Sequence, residues 1–541
     1  MKTSSMWVGV VCAIVAAAQG CGDPGGSGFD DGGASKDAMS ENPVIDTDTG
    51  PPYDGPWSDF PQGPILDMAD GGPSVPPNIA TLFGPAGSGA MSGGPCLFEP
   101  EIGTLYPKNW LRPRFSWVAG GGANVYELRI TAPNQVSPLV VYTASTRWTM
   151  PLAMWDGLRQ HSADKDLTVT VRSGTLSNGT LSQIAVGSSG VVGIAPVEAP
   201  GSIVYWTTTG GSALKGFKIG DESVVGVLVP NQVQQRPAQC VGCHTSTPDG
   251  AYALVSITPG FSDAIASVEQ GTTGQAPPFL SMAASQSFAN RLKGAAVTSK
   301  PHWQNGDHVT IGTDNTDLVL VDLEAQSNPV AVLARTGDAK KAVAPTWSHD
   351  GATIVYESTS GVVDGRPSGT DGDLRAIPYA NRMGGASTPI AGASDPNKNE
   401  YYPAFSPDDA LLAFNAVPAG VTPYNQAQAE LYVLPAGGGT ATRLAANDPP
   451  ACSGKKSPGI TNSWPKWAPS ADTNKGRTYY WLVFSSIRNP ANNPQLYVTA
   501  IVKENGALKT YASLYLWNQP AAENNHTPAW DLFKIPPVPP N

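Results

Sequence analysis

A short pattern recurs six times after residue 240, and it leaves few folds open. Its copies begin "CHTSTPDGAYALVS" at Cys243, "KPHWQNGDHVTIGT" at Lys300, "APTWSHDGATIVYES" at Ala344, "YPAFSPDDALLAFNA" at Tyr402, "WPKWAPS" at Trp464 and "HTPAWDLF" at His526. Aligned on Ser246, Trp303, Trp347, Phe405, Trp467 and Trp530, they are 57, 44, 58, 62 and 63 residues apart. In each copy a Pro or His leads into a strand, an aromatic or small residue follows, a tight Asp/Gly turn reverses the chain, and an apolar strand returns. Pro presets φ at the start, and Gly accepts the left-handed geometry of the reversal. A period of about 40–60 residues with several strands in each unit reads as the blades of a propeller.

The copies at Ala344–Ser358 and Tyr402–Ala416 resemble the "P-x-W-S-P-D-G" repeat of the TolB-type β-propeller, a relative of WD-type repeats. The resemblance covers more than half the chain and implies six blades across residues 200–541. The last copy leaves too few residues for a whole blade. The strands "SIVYWTTT", "ALKGFKIG" and "SVVGVLVP" within 202–230 are therefore expected to complete it and remove the free sheet edge. Residues 96–199 carry further short strands, such as "VYELRIT" and "LTVTVRS", with Trp117 and Trp155 as expected core. They resemble a fibronectin- or immunoglobulin-like β-sandwich by pattern. "PLAMWDGL" at 151–158 reads as a single helical turn or a bend. The fold class is all-β: a sandwich, then a six-bladed propeller, behind a disordered N-terminal tether.

That tether is expected over 21–95, where Gly, Pro, Asp and Ser dominate and few aliphatics are available to offset the entropy of ordering. Between Gly22 and Pro95 stand ten Asp, one Glu and one Lys, so the tether carries nearly all of the formal net charge of −11. The remainder is close to neutral, which argues against nucleic acid as a partner. Residues 1–20 read as a secretory signal that resembles a bacterial lipoprotein signal, with Cys21 the residue to be lipidated; ordinary cleavage after Ala18 is the rival reading. The implied location is the bacterial cell envelope, lipid-anchored, at the outer membrane and facing the periplasm or the surface. In that oxidising compartment Cys96 and Cys452 form one candidate disulfide.

The pentapeptide "CVGCH" at 240–244 carries the chemistry. Its spacing resembles the attachment signature of a c-type haem, with thioethers at Cys240 and Cys243 and His244 as iron ligand. His526 is the expected second axial ligand, because the first and last blades of a closed ring are neighbours. Met282, Met383, His302 and His349 are weaker candidates. Two other readings stay open: a Cys240–Cys243 disulfide beside a rim histidine, or a metal such as zinc held by the cysteines with His244 and His526. No helix pattern flanks the motif as a cytochrome fold would require. Asp314 with Asp317 reads as a polar blade-edge loop rather than a calcium site; Glu400, expected near the channel mouth, could form an acid–base pair with Asp395, but nothing in the sequence fixes their distance. No G-x-S-x-G elbow is present and no hydrolase domain would fit. Two function classes follow. One is a non-enzymatic scaffold whose propeller mouth binds a protein or envelope ligand; the other is an envelope protein carrying one haem c for electron transfer or redox sensing.

Overall fold

The computed structural model of the protein describes residues 54–68, 75–258 and 261–538. The expected signal at 1–20, Cys21 and much of the acidic segment lie outside the described residues. Within them the chain is all-β. Three four-strand antiparallel runs follow one another along the C-terminal half. The first is Lys341–Trp347, Thr353–Thr359, Asp373–Pro378 and Thr388–Pro389. The second is Lys398–Phe405, Leu411–Pro418, Glu430–Pro435 and Thr442–Arg443. The third is Ser463–Trp467, Arg477–Ser486, Gln495–Glu504 and Ala507–Thr510. Before them a seven-stranded sheet runs from Cys240–Ser246 to Val330–Val332. After them Asn525–Asp531 pairs with Ser202–Thr207, which continues through Ala213–Lys218 to Val225–Leu228.

The repeat has a visible physical cause. At three of the turns a hydroxyl and an aspartate lock the reversal in the same way: Thr247 onto Asp249 (2.6 Å), Ser348 onto Asp350 (2.6 Å) and Ser406 onto Asp408 (2.7 Å). Each aspartate also accepts the backbone N–H two residues on, from Ala251, Ala352 and Ala410. The intervening residue takes a left-handed φ, at Gly250, Gly351 and Asp409. Aspartate is one of the few side-chain-bearing residues that tolerate this conformation.

The first strands touch one another in a closed order. Cys240–Ser246 lies against Lys293–Thr298, followed by Lys341–Trp347, Lys398–Phe405, Ser463–Trp467 and Asn525–Asp531, which returns to Cys240–Ser246. One member departs from the sequence expectation. Lys300–Gln304 is a short helix rather than a strand, and Lys293–Thr298 supplies the ring position instead. Pro301 fits the first helical turn, where its missing N–H costs nothing, and Trp303 is buried from that helix.

The N-terminal module contains a six-stranded sheet and a three-stranded one. Two pairings of the larger sheet are parallel, Ile65–Asp67 with Leu139–Thr143 and Leu105–Tyr106 with Gly193–Ile194. Leu152–His161 forms a ten-residue helix, longer than the single turn expected, with Trp155 and Leu158 buried. The tether expectation needs correction for residues 54–68 and 75–95. Phe60, Val75, Ile79 and Phe83 are buried, and Trp57 stacks on His161 at 3.6 Å. Buried Arg172 pairs with Glu127 at 2.5 Å and donates to the carbonyls of Pro85 and Ser88. A handful of anchors holds this stretch down, which the average composition of the segment conceals.

One hydrophobic cluster runs from Phe60, Trp117 and Trp155 through Ile203 and Tyr205 to Trp481 and Trp530, so the module and the last two sheets share a core. A disulfide joins Cys96 to Cys452 across the same junction.

Candidate binding site at the ring mouth

Four first strands share a local distortion. The residue before the motif proline has a positive φ at Ala344 (49°), Tyr402 (52°), Trp464 (58°) and Thr527 (44°). In each the strand register slips at this point, as it also does in the first copy between Val241 and His244. Residues preceding proline favour extended backbone, and bulky or β-branched residues rarely adopt positive φ. A repeated bulge of this kind re-aims the side chain it carries. The side chains so placed at one end of the ring are Cys243, Ala344, Tyr402, Trp464 and Thr527.

Loops complete that end. Each first strand is antiparallel to its second, so the loop from second to third strand returns to where the first strands begin. These loops bring Phe261, Arg366 and Tyr424. The Arg366 guanidinium sits 4.7 Å from the Phe261 ring centre and 4.8 Å from that of Tyr424, bridging three sheets across the mouth. Below this bridge Trp206 and Trp464 flank His526 at 4.5 and 5.6 Å, and Tyr402 and Tyr424 each lie 6.3 Å from Trp464. Trp206, Cys243, Arg366, Tyr402, Tyr424 and Lys466 are each partly exposed.

The electrostatics follow from this setting. Burial pushes the Cys243 thiol up, opposed by Arg366, so it stands protonated. Burial lowers Lys466, opposed by Cys243. Burial holds both His244 and His526 down at about 4, so both rings are neutral. Several polar groups here have no protein partner among the described residues: Nε1 of Trp464, Nδ1 of His526 and Oγ1 of Thr527.

Cys240 and Cys243 are both free thiols. His244 is only 4% exposed. Its Nδ1 faces the Gly242 carbonyl at 3.2 Å and its Nε2 the Val204 carbonyl at 3.1 Å. As an iron ligand His244 therefore does not fit: either ring nitrogen would have to leave a backbone carbonyl inside the sheet junction. His526 lies opposite Trp206 on the paired strand, and His244 bonds Val204 two residues away. Among the described residues no three His, Cys, Asp or Glu side chains form a metal-holding group.

The weaker candidates lie elsewhere. Met282 and Met383 are exposed. His302 packs on Trp347 and Tyr379 and meets Ser299 Oγ at 2.7 Å. His349 sits in a first-to-second-strand turn, at the opposite end, against Asp409. Asp314 pairs with Arg291 and Asp317 with Arg335, as loop charges. Sequence reasoning missed Trp206, Phe261, Arg366, Tyr424 and Lys466. Only Lys466 carries a signal within the motif, as a charge in an otherwise apolar inner strand.

An all-β chain with a closed order of first strands and an aromatic, cationic mouth is what fold and site define. No protein-family model and no curated protein matches it. Solved structures similar to it include a protein assigned as TolB from Agrobacterium tumefaciens, 14% identical, covering 61% of this chain and 98% of that one with a TM-score of 0.32. The WD40 repeats of RRP9 are 11% identical, covering 59% and 86% with a TM-score of 0.31. A 6-phosphogluconolactonase-like protein from Bacteroides uniformis is 11% identical, covering 59% and 97% with a TM-score of 0.28.

Proposed function

We propose that the chain is a non-enzymatic binding scaffold of the bacterial cell envelope. In this reading residues 200–541 are a six-bladed β-propeller of the TolB type, closed by strands within 202–230. The propeller and a β-sandwich module are held on a lipid-anchored N-terminal segment, and the mouth binds a protein or envelope ligand. One observation carries the reading: the cyclic order of six first strands, with re-aimed side chains of several strands gathered at one end. The test is a photo-crosslinking amino acid placed at Tyr424 in the native cell, with a control at Val332, exposed on an outer strand. Adducts from Tyr424 and none from Val332 are expected. Adducts from Val332 alone would move the binding face to the rim.

A second reading has its own support. Both thiols of the C-x-x-C pair are free and His526 Nδ1 lacks a partner, as covalent haem c with His526 on iron would need. When bound, haem would supply one-electron chemistry. The bonding of His244 opposes it. A visible spectrum of protein made in a host that matures c-type haem decides: no Soret band is expected. A band that survives acid–acetone extraction and disappears in Cys240→Ala would make the haem reading the correct one.

A further inference from the structure

Several side chains at the mouth share a property that the fold does not explain. Trp464 is 92% buried (8% exposed), yet its indole N–H has no acceptor among the described residues. A buried donor without an acceptor costs about 1–3 kcal/mol, and here it sits on a strained bulge that the structure keeps in place. Two residues along the same strand, the Lys466 ammonium has no ion pair or hydrogen bond among the described residues. It lies close enough to Cys243 and His244 to act on the charge of both. Arg366 adds a second cation, and its nearest carboxylate, Asp364, is 3.6 Å away. Around these donors stand the ring faces of Trp206, Tyr402 and Tyr424, each with surface to spare.

Resting on the mouth as the binding face, we propose that it takes a planar aromatic acid: the ring system lies among Trp206, Tyr402 and Trp464, and the carboxylate meets Lys466 and the Trp464 N–H. An anion can accept from the indole donor and the ammonium with a charge assistance that a neutral acceptor lacks and an apolar ligand cannot offer. Charge-assisted hydrogen bonds are the stronger kind, and aromatic faces prefer offset or edge-on rings as neighbours. The Phe261–Arg366–Tyr424 bridge closes the site from outside.

The experiment is calorimetric titration of the full exported chain, made in a host without covalent haem attachment. The probes are 2-naphthoate, its neutral isostere 2-naphthamide and the non-aromatic cyclohexanecarboxylate. Naphthoate should bind at least about tenfold more tightly than either comparator, since a charged hydrogen bond and ring contact each contribute on this scale. Lys466→Met should weaken naphthoate about tenfold or more, and Trp464→Phe, which keeps a ring and removes the N–H, about threefold to tenfold. Equal binding of naphthoate and naphthamide by the unaltered protein would overturn the proposal whether or not the variants fold. So would Lys466→Met binding naphthoate as well as the parent, with an unchanged thermal melt. If naphthoate fails while Tyr424 still yields adducts in cells, the ligand class is wrong and the mouth stands as the binding face. If both fail, the mouth itself is the wrong place.

Discussion

Replacing Arg488 with Met is expected to destabilise the protein by about 3–5 kcal/mol, the usual cost of breaking a buried ion pair from one side. The Arg488 side chain is 2% exposed, and all five of its N–H groups have acceptors. Nε donates to Ser486 Oγ at 3.1 Å. Nη1 donates to Glu101 at 3.0 Å and to Ser513 Oγ at 2.8 Å. Nη2 donates to the Ala446 carbonyl at 2.5 Å and to Asn462 at 2.7 Å. The guanidinium also lies 5.0 Å from the Tyr497 ring centre. Glu101 belongs to the N-terminal module, so this one side chain ties that module to the third four-strand run, just after Arg477–Ser486. Burial pushes Glu101 up even with Arg488 present, and Met would leave the carboxyl with Ser513 alone, through its hydroxyl and its N–H at 3.3 Å. The cost should therefore come mainly from the stranded carboxyl. Arg488→Met combined with Glu101→Leu should recover a large part of the loss, because two apolar groups strand nothing. Urea unfolding of the parent, both single variants and the pair measures this as a double-mutant cycle. A single variant within about 1 kcal/mol of the parent would refute the assignment, and so would a pair no better than Arg488→Met.

The sequence showed the repeat because the repeat is local chemistry. The hydroxyl–aspartate turns at Thr247, Ser348 and Ser406 and the strand ends at Trp347, Phe405 and Trp467 are written within a few residues of one another. The same pattern misled at Lys300, where an identical Pro-aromatic spacing suits the first turn of a helix. What pattern reading could not reach is whatever depends on distant partners. Nothing in the sequence marks Arg172 and Arg488 as buried, since their carboxylate partners, Glu127 and Glu101, lie 45 and 387 residues away. Residues 75–95 read as tether because burial of Ile79 and Phe83 requires a surface built by residues after 124. At the site, the strand-borne Cys243 and His526 were visible, while Phe261, Arg366 and Tyr424 were not. They stand on second-to-third-strand loops that keep no common length, so no alignment brings them together. His244 was visible as a residue but not as a state: only the Val204 carbonyl, 40 positions away, shows its ring already engaged.

Two buried acids oppose folding as pH rises, and Glu400→Gln is expected to stabilise the protein above neutral pH. Glu357 and Glu400 are both fully buried. Neither Glu357 oxygen has a hydrogen-bond partner among the described residues, and Glu400 has one contact, from Asp395 N at 3.2 Å. Burial pushes Glu400 up to about 7, and burial together with Asp371 and Glu400 raises Glu357 well above its ordinary value. The sign follows from linkage. A carboxyl raised from 4.5 to about 7 in the folded state binds a proton that the unfolded chain has already released. Its contribution is complete below pH 4.5, shrinks as pH rises, and is gone above 7, a total of about 3 kcal/mol for this shift. Two histidines held at about 4 act in the opposite sense as pH falls below their unfolded value, and buried Asp263 and Asp531 act in the same sense as the glutamates. The pH profile of the parent alone is therefore a mixture. The difference between parent and Glu400→Gln removes those shared terms, because glutamine mimics the protonated acid at every pH. That difference should be under about 1 kcal/mol at pH 5 and grow to about 3 kcal/mol in favour of the variant at pH 8. Glu357→Gln should shift stability in the same direction. Urea unfolding of parent and variant at the two pH values measures it. A gap that stays constant between pH 5 and 8 would mean that Glu400 is ionised in the folded protein throughout, with a cation or ordered water supplying what its neighbours do not.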